Sequence, residues 1–165
     1  MSYTIETIAE RISARRVGDT PATIDWLLTD SRSLSFPEET LFFALTTKRN
    51  DGARYIPDLY SRGVRNFVVS KEAYKWVESG QLAMSMLAVN FLVVANPLKA
   101  LQKLAEQHRE QFQIPVIGIT GSNGKTIVKE WLHQLLSPER VIVRSPRSYN
   151  SQIGVPLSVW QMNEQ

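Results

Sequence analysis

The chain has 165 residues, of which 43% are hydrophobic and 21% charged, with a formal net charge of +3. That composition describes a globular protein and excludes a disordered one. The chain has no cysteine, which excludes disulfide scaffolds, thiol catalysis and cysteine-ligated metal.

The length suits one domain, or one domain plus part of another. No apolar run approaches the roughly 20 residues of a membrane span. Residues 1–6 lack the basic-then-apolar order of a secretory signal, so a cytoplasmic protein is expected. Lys and Arg are scattered and are densest at Arg140, Arg144 and Arg147. No aromatic residues interleave with them, so the excess suits small anions and not nucleic acid. His108 and His133 stand apart in helical patterns and read as surface or packed residues, not as a metal pair.

Thr4 can cap a first helix with Glu6 in its first turn. Ile5, Ile8, Ala9 and Ile12 then recur at helical spacing and make one apolar face. Val17-Gly18-Asp19 reads as a turn. Residues 24–29 read as a strand running into Asp30-Ser31-Arg32. Pro37 marks a loop, and Leu41-Phe42-Phe43-Ala44-Leu45 reads as a buried strand. A polar stretch over residues 46–52 leads to a helix through Ala53, Ile56, Leu59 and Tyr60, closed by Gly63. Residues 66–69 form a further strand, residues 71–86 a helix and loop, and residues 91–94 a fourth strand.

Asn96-Pro97 opens a helix, with Asn as cap and Pro in the first helical position. Leu98, Leu101, Leu104, Ala105, His108 and Phe112 line one of its faces. Residues 111–115 read as a boundary. Val116-Ile117-Gly118-Ile119 is then a strand, followed by the turn Thr120-Gly121-Ser122-Asn123-Gly124-Lys125-Thr126 and a helix carrying Ile127, Val128, Trp131, Leu132, Leu135 and Leu136. Val141-Ile142-Val143 is a last strand, and a helix through Leu157 and Trp160 ends the pattern. Strands alternate with helices, so the class is α/β.

The strand, glycine turn and helix around Gly124 have the order of a phosphate-binding loop. Glycines let backbone N–H groups approach phosphate oxygens, and the helix turns its positive end to the anion. Lys125 would reach the outer phosphates and the Thr126 hydroxyl would ligate Mg²⁺. The usual first glycine of G-x-x-x-x-G-K-[ST] falls on Ile119, with glycines at 118 and 121 on either side. The plainer alternative is an ordinary strand-turn-helix corner. Only two strands and two helices follow Pro115, too few to bury a phosphate-loop sheet. The expectation is a complete domain over residues 1–113 and the start of a second over 114–165. A second polar set, Asp30-Ser31-Arg32 with Asn50-Asp51-Gly52, sits where strands end, and such ends carry ligands in open α/β sheets. Read by themselves, these residues are also ordinary turn formers.

Taken together, Thr29-Asp30-Ser31-Arg32, Leu41-Phe42-Phe43-Ala44-Leu45 and Asp51-Gly52-Ala53-Arg54-Tyr55-Ile56 resemble the N-terminal domain of the Mur ligases, ATP-dependent amide ligases of peptidoglycan precursor synthesis. Residues 118–126 resemble the family's phosphate loop, including the non-glycine at Ile119. Lys129-Glu130 and residues 150–157 are similar to the family as well. Within it, residues 96–101 and the Pro115-Val116-Ile117-Gly118 junction look most like the branch that adds D-alanyl-D-alanine to UDP-N-acetylmuramoyl-tripeptide. The sister branch that adds the third residue shares Asp-Ser-Arg and Asp-Gly. Three positions depart from the family pattern: Ile127 for a second Thr, Ser151 for a second Asn, and Ala53 for a His.

The resemblance implies a substrate domain for the UDP-sugar, followed by the first strands and helices of an ATPase domain. It implies transfer of the γ-phosphoryl of ATP to a carboxylate, then attack on the acyl phosphate by an amine. Residues 120–126 would bind ATP, with Lys125 the catalytic contact and Thr126 the Mg²⁺ ligand. Ser31, Arg32, Asp51, Gly52 and Asn150 would bind the UDP-N-acetylmuramoyl-peptide, and D-alanyl-D-alanine would be the second substrate. The family's remaining acidic groups, modified lysine and amine-side domain do not lie within these 165 residues, so the chain by itself is expected not to catalyse. In some members the ligase is fused to a C-terminal alanine racemase, which nothing in these residues tests. Two readings stay open beside this one: another P-loop enzyme such as a small-molecule kinase, and a non-catalytic nucleotide-sugar binding module.

Overall fold

The computed structural model describes residues 2–47, 51–80, 86–146 and 151–163. The chain divides into two compact units, Met1–Leu104 and Ala105–Gln165.

The first unit opens with β1 (Tyr3–Thr4) and α1 (Ile5–Arg11). Thr4 is the cap of α1, its hydroxyl accepting from Thr7 N at 3.2 Å. Glu6 in the first turn and Arg11 in the last complement the helix dipole, and Ile5, Ile8 and Ala9 form the buried face. Next come β2 (Arg15–Val17), β3 (Thr23–Ile24), β4 (Trp26–Leu28) and β5 (Thr40–Phe43). A one-turn 3-10 helix (Gly52–Tyr55) and α2 (Ile56–Ser61) lead to β6 (Asn66–Ser70). Then α3 (Lys71–Ser79) leads to β7 (Asn90–Val94). The helix α4 (Pro97–Arg109) begins in this unit and ends in the next.

The main sheet has the order β2-β7-β6-β5-β4, and β1 pairs with β3 in a separate two-stranded sheet. Strands β4 to β7 are parallel neighbours, while β2 runs antiparallel to β7. Parallel strands are covered on both faces, which is why they read as unbroken apolar runs. Leu41, Phe42, Phe43, Phe67, Val68, Val69 and Leu92 are all buried. On one side the rings of Phe42, Phe67, Phe91 and Tyr74 follow one another at centroid spacings of 6.4, 5.6 and 5.6 Å, within the range of favourable aromatic pairs.

Two sequence expectations change here. Residues 15–17, before the expected turn, form an edge strand, which Arg15 and Arg16 hid by breaking the apolar pattern. The single strand expected over 24–29 is two pieces in two sheets. The break falls at Asp25, where the N–H groups of Asp25 and Trp26 both donate to the Glu39 carbonyl.

A buried polar network holds the amino ends of β6 and β7. Asn66 and Asn90 are direct neighbours in register, and both are buried. Asn90 Oδ1 accepts from Arg16 Nε at 3.2 Å and Nη2 at 3.0 Å. Asn90 Nδ2 donates to the Thr20 carbonyl at 2.9 Å and to Asn66 Oδ1 at 2.8 Å. Arg16 Nη2 also donates to Thr20 O, and its Nη1 pairs with Glu6. One side chain thus ties β2, β6, β7 and the loop at Thr20 together.

The second unit holds the end of α4, α5 (Lys125–Leu136) and α6 (Gly154–Val159). His108 on α4 is buried, with ring centroids 5.1 Å from Phe112 and 4.8 Å from Trp160. Its Nε2 donates to the Met162 carbonyl at 3.0 Å. It is a packed residue that anchors the segment after α6.

The strands expected at 116–119 and 141–143 do not form. Val116 and Val141 are 68% and 77% exposed. A strand needs a neighbour to take its N–H and C=O groups, and among the described residues no strand pairs with either run. Helix α5 likewise has no buried residue.

Replacing Asn90 by Ala removes the acceptor of the mostly buried Arg16 Nε and the donor to buried Asn66 Oδ1. The expected loss is about 2–3 kcal/mol of unfolding free energy, measured by urea denaturation. A loss below about 0.5 kcal/mol, the size of an ordinary surface change, would show that the network does not hold the sheet.

Candidate functional site

In the first unit the polar turns gather beyond the carboxyl ends of the adjacent parallel strands β4 and β5. After β4, Asp30 caps a one-turn 3-10 helix (Ser31–Ser33), its Oδ1 accepting from Arg32 N at 3.0 Å. The Arg32 guanidinium forks onto the same carboxylate. Its Nε donates to Oδ1 at 2.9 Å and Oδ2 at 3.2 Å, and its Nη2 donates to Oδ2 at 2.6 Å. The Arg32 side chain is 87% exposed, so a planar cation is held in a fixed direction yet open to solvent. Hydrogen bonds from the Arg32 side chain and amide hold the Asp30 carboxyl below its ordinary value. Asp30, first of all, and also the Tyr55 phenol raise Arg32 in turn. Arg62 joins from the end of α2, its Nη1 donating to the Ser31 carbonyl at 2.8 Å.

After β5 the chain turns back on itself. Gly52 N donates to Leu45 O at 2.9 Å, and Thr46 bridges to Asp51. Asp51 caps the 3-10 helix Gly52–Tyr55, accepting from Ala53 N at 3.0 Å. A Cβ on Gly52 would lie 2.7 Å from Leu45 N and 2.8 Å from Leu45 O, so only glycine fits against this backbone. Ser31, Arg32, Asp51 and Gly52 therefore come together as two capped turns at one end of the sheet. Lys48, Arg49 and Asn50 lie outside the described residues. The sequence reading missed Arg62 and left Thr46 and Tyr55 without a role. Nothing in the order of residues joins Arg62 to Ser31, 31 positions away.

In the second unit, Thr120, Gly121, Ser122 and Asn123 lead into Gly124, which takes the left-handed conformation (φ +79°) directly before α5. Gly121 is also at positive φ (+145°). No side chain caps α5, and nothing lies within 4 Å of where a Gly124 Cβ would be. Lys125 Nζ folds back over the turn and donates to the Gly121 and Ser122 carbonyls. A 12-residue helix with an uncapped amino end, a left-handed glycine, a lysine over the turn and Thr126 in the first helical turn fits a phosphate with its magnesium ion. Farther along, Lys129 Nζ donates to the Ser145 carbonyl at 2.7 Å, and Glu130 pairs with Lys129 and Arg144. Lys129 first, then Arg144, lowers the Glu130 carboxyl from its ordinary value. Asn150 and Arg147, read as site and cluster residues, lie outside the described residues.

Gly52→Ala should cost about 1–3 kcal/mol, because backbone atoms must move to admit the methyl group; a thermal melt equal to wild type would contradict this close approach. Asp30 has a depressed folded-state pKa. Its contribution is therefore complete above the ordinary aspartate value, about 3.9, and is lost as pH falls below that through its own lower value. Asp30→Asn should flatten the acid limb of stability in this window and leave stability above pH ~5 little dependent on pH. A titration of unfolding free energy against pH for both chains checks it.

No family model matches the chain. It is 31% identical over 163 residues to the UDP-N-acetylmuramoyl-tripeptide–D-alanyl-D-alanine ligase of Bacillus subtilis, covering 98% of this chain and 33% of the relative. It is 30% identical over 162 residues to the ligase of the same name from Haemophilus influenzae, covering 95% and 32%. Among solved structures, MurF from Acinetobacter baumannii superposes with a TM-score of 0.79 at 25% identity, covering 99% of this chain and 34% of that one. MurF ligase from Thermotoga maritima in complex with ADP gives a TM-score of 0.63 at 26% identity, covering 81% and 28%. The chain spans about a third of the length of the curated relatives it matches. Along nearly its whole length the chain is similar in sequence to these Mur ligases, and it shares the fold of the part it matches.

Proposed function

We propose that the chain is the part of an ATP-dependent ligase that grips the UDP-sugar substrate and the phosphates of ATP, in an enzyme joining D-alanyl-D-alanine to UDP-N-acetylmuramoyl-tripeptide. Residues 1–113 serve the UDP-sugar and residues 114–165 open the ATP-binding domain. The observation that carries the nucleotide half is the uncapped amino end of α5 behind a left-handed Gly124, with Lys125 over the turn. The same relatives supply the substrate pair, since their name states both molecules.

In this reading the backbone of residues 120–124 and the first turn of α5 receive the phosphate oxygens. Lys125 leaves the Gly121 and Ser122 carbonyls for the β and γ phosphates, exchanging neutral acceptors for charged ones. Thr126 holds magnesium, which draws charge from the transferring phosphoryl group when bound. In the first unit Arg32 takes the diphosphate of the UDP-sugar, a planar donor set matched to phosphate. Ser31 and Asp51 take hydroxyl or base groups, and Gly52 lets the backbone come close. Asn150 orients the same substrate. Gripping both reactants in one geometry is the larger part of such catalysis. The further groups that complete the reaction lie in the length the relatives have beyond this match. Among the described residues no helix is long and apolar enough to cross a membrane, and a cytoplasmic enzyme is part of the proposal.

Calorimetric titration of the chain with UDP-N-acetylmuramoyl-tripeptide, and separately with Mg-ATP, tests both halves. Saturable binding of each is expected. Lys125→Ala should weaken Mg-ATP by at least about tenfold without changing the UDP-sugar, since lost bonds to charged groups are worth about 1.5–3 kcal/mol. Binding of Mg-ATP with no response to the UDP-sugar would favour a P-loop kinase fragment instead. Ligation turnover by this chain alone would contradict its role as one part of a larger catalyst.

A further inference from the structure

Among the described residues, Arg62 hydrogen-bonds to the backbone of the Asp30–Ser33 turn from a distant element. It is the C-cap of α2, the crossover helix between β5 and β6. Its Nη1 donates to the Ser31 carbonyl at 2.8 Å and to Asp58 Oδ2 at 3.3 Å, one helical turn earlier. The bonds within the turn are local. Asp30 accepts from Arg32, and Ser33 N donates to Asp30 O at 3.0 Å. A three-residue 3-10 helix with exposed side chains has little packing to fix it, and none of its residues is buried. Arg32 is mostly exposed and Ser31 is not buried, so neither contributes an apolar anchor.

We propose that Arg62 is a positioning residue for substrate binding: it fixes the Ser31 carbonyl to α2 and so sets the direction in which Ser31 and Arg32 face the ligand. The inference rests on the reading of this turn as the UDP-sugar site. The Asp58 carboxylate braces the guanidinium, so the donor is already oriented when the turn closes on it. Because α2 is itself anchored in the core by Ile56 and Leu59, the turn inherits the rigidity of the sheet and its crossover helix. Without this bond the capped turn can still form, but it pivots about Asp30, and the forked Arg32–Asp30 pair pivots with it. A planar donor group loses bidentate contact when misdirected by a few tens of degrees. The positive charge of Arg62 is spent on the protein's own carbonyl and carboxylate, so it adds little to the attraction of the ligand.

Titration of the full chain with UDP-N-acetylmuramoyl-tripeptide decides the matter with three variants. Arg62→Ala should weaken binding about five- to tenfold, the upper part of the range for one ordinary hydrogen bond. Its thermal midpoint should stay within about 2 °C of wild type, as for a surface change. Arg62→Lys should restore most of the affinity, because an ammonium can donate to the same carbonyl. The salt dependence of affinity should match wild type in Arg62→Ala and flatten in Arg32→Ala, since Arg32, unlike Arg62, is proposed to face the ligand's charge. Unchanged affinity in Arg62→Ala overturns the inference, as does a flattened salt dependence or a large drop in melting temperature in that variant. Absence of UDP-sugar binding in wild type overturns the substrate reading itself, and the inference with it.

Discussion

Pairing between neighbouring strands is the constraint on which the rest of this molecule depends. In the first unit β5, β6 and β7 each have a parallel neighbour on both sides or an antiparallel one at the edge. Their backbone groups are satisfied there, and Phe42, Phe43, Phe67 and Leu92 can be buried on both faces. In the second unit the apolar runs at 116–119 and 141–143 have the same character but no paired neighbour among the described residues. They stay irregular and exposed, and so does the apolar side of α5, with Leu135 75% exposed. Apolar content is similar in both places. The difference lies in whether a partner strand is present.

The same pairing sets the ligand end of the first unit. Parallel register between β4 and β5 brings two unrelated turns to one edge, each built on an aspartate that accepts from the backbone two residues on. The caps are local and inexpensive in free energy, but they hold a guanidinium and a glycine backbone in fixed directions. The opposite end of the sheet has another use for polarity. There Asn66, Asn90 and Arg16 consume one another's hydrogen bonds and leave little for a ligand. Polar residues at the two ends of one sheet thus do different work: at one end they lock the register, and at the other they remain available.

The phosphate turn of the second unit follows a different logic. It does not need its strand to take its local shape. Gly124 in the left-handed region and the first bond of α5, Val128 N to the Gly124 carbonyl at 2.9 Å, are short-range features. Lys125 closes over the turn's own carbonyls, which keeps the cation in place near where a phosphate would sit. The proposed nucleotide site therefore does not depend on the expected strand, because its chemistry lies in the turn and the helix end.

Short-range physics was readable from the order of residues. The Thr4 cap, the Asn96-Pro97 helix start and the glycine turn before Lys125 each depend on neighbours within a few positions, and the runs at 41–43, 66–69 and 91–94 showed their capacity to pair in the same way. The resemblance to the Mur ligases also rested on such compact blocks, and the relatives agree with it. What only the tertiary structure decided has in common a partner distant in sequence. Arg15–Val17 is a strand because β7 lies beside it, and its charged residues gave no apolar signal. Residues 23–28 change sheet because Glu39 takes two of their amides. The turns of Asp30 and Asp51 lie at one end of the sheet because β4 and β5 are parallel neighbours, and Arg62 reaches Ser31 from the end of α2. Residues 116–119 failed to become a strand for the converse reason. A periodic apolar pattern states that a segment can pair, and the presence of a neighbour in space decides whether it does.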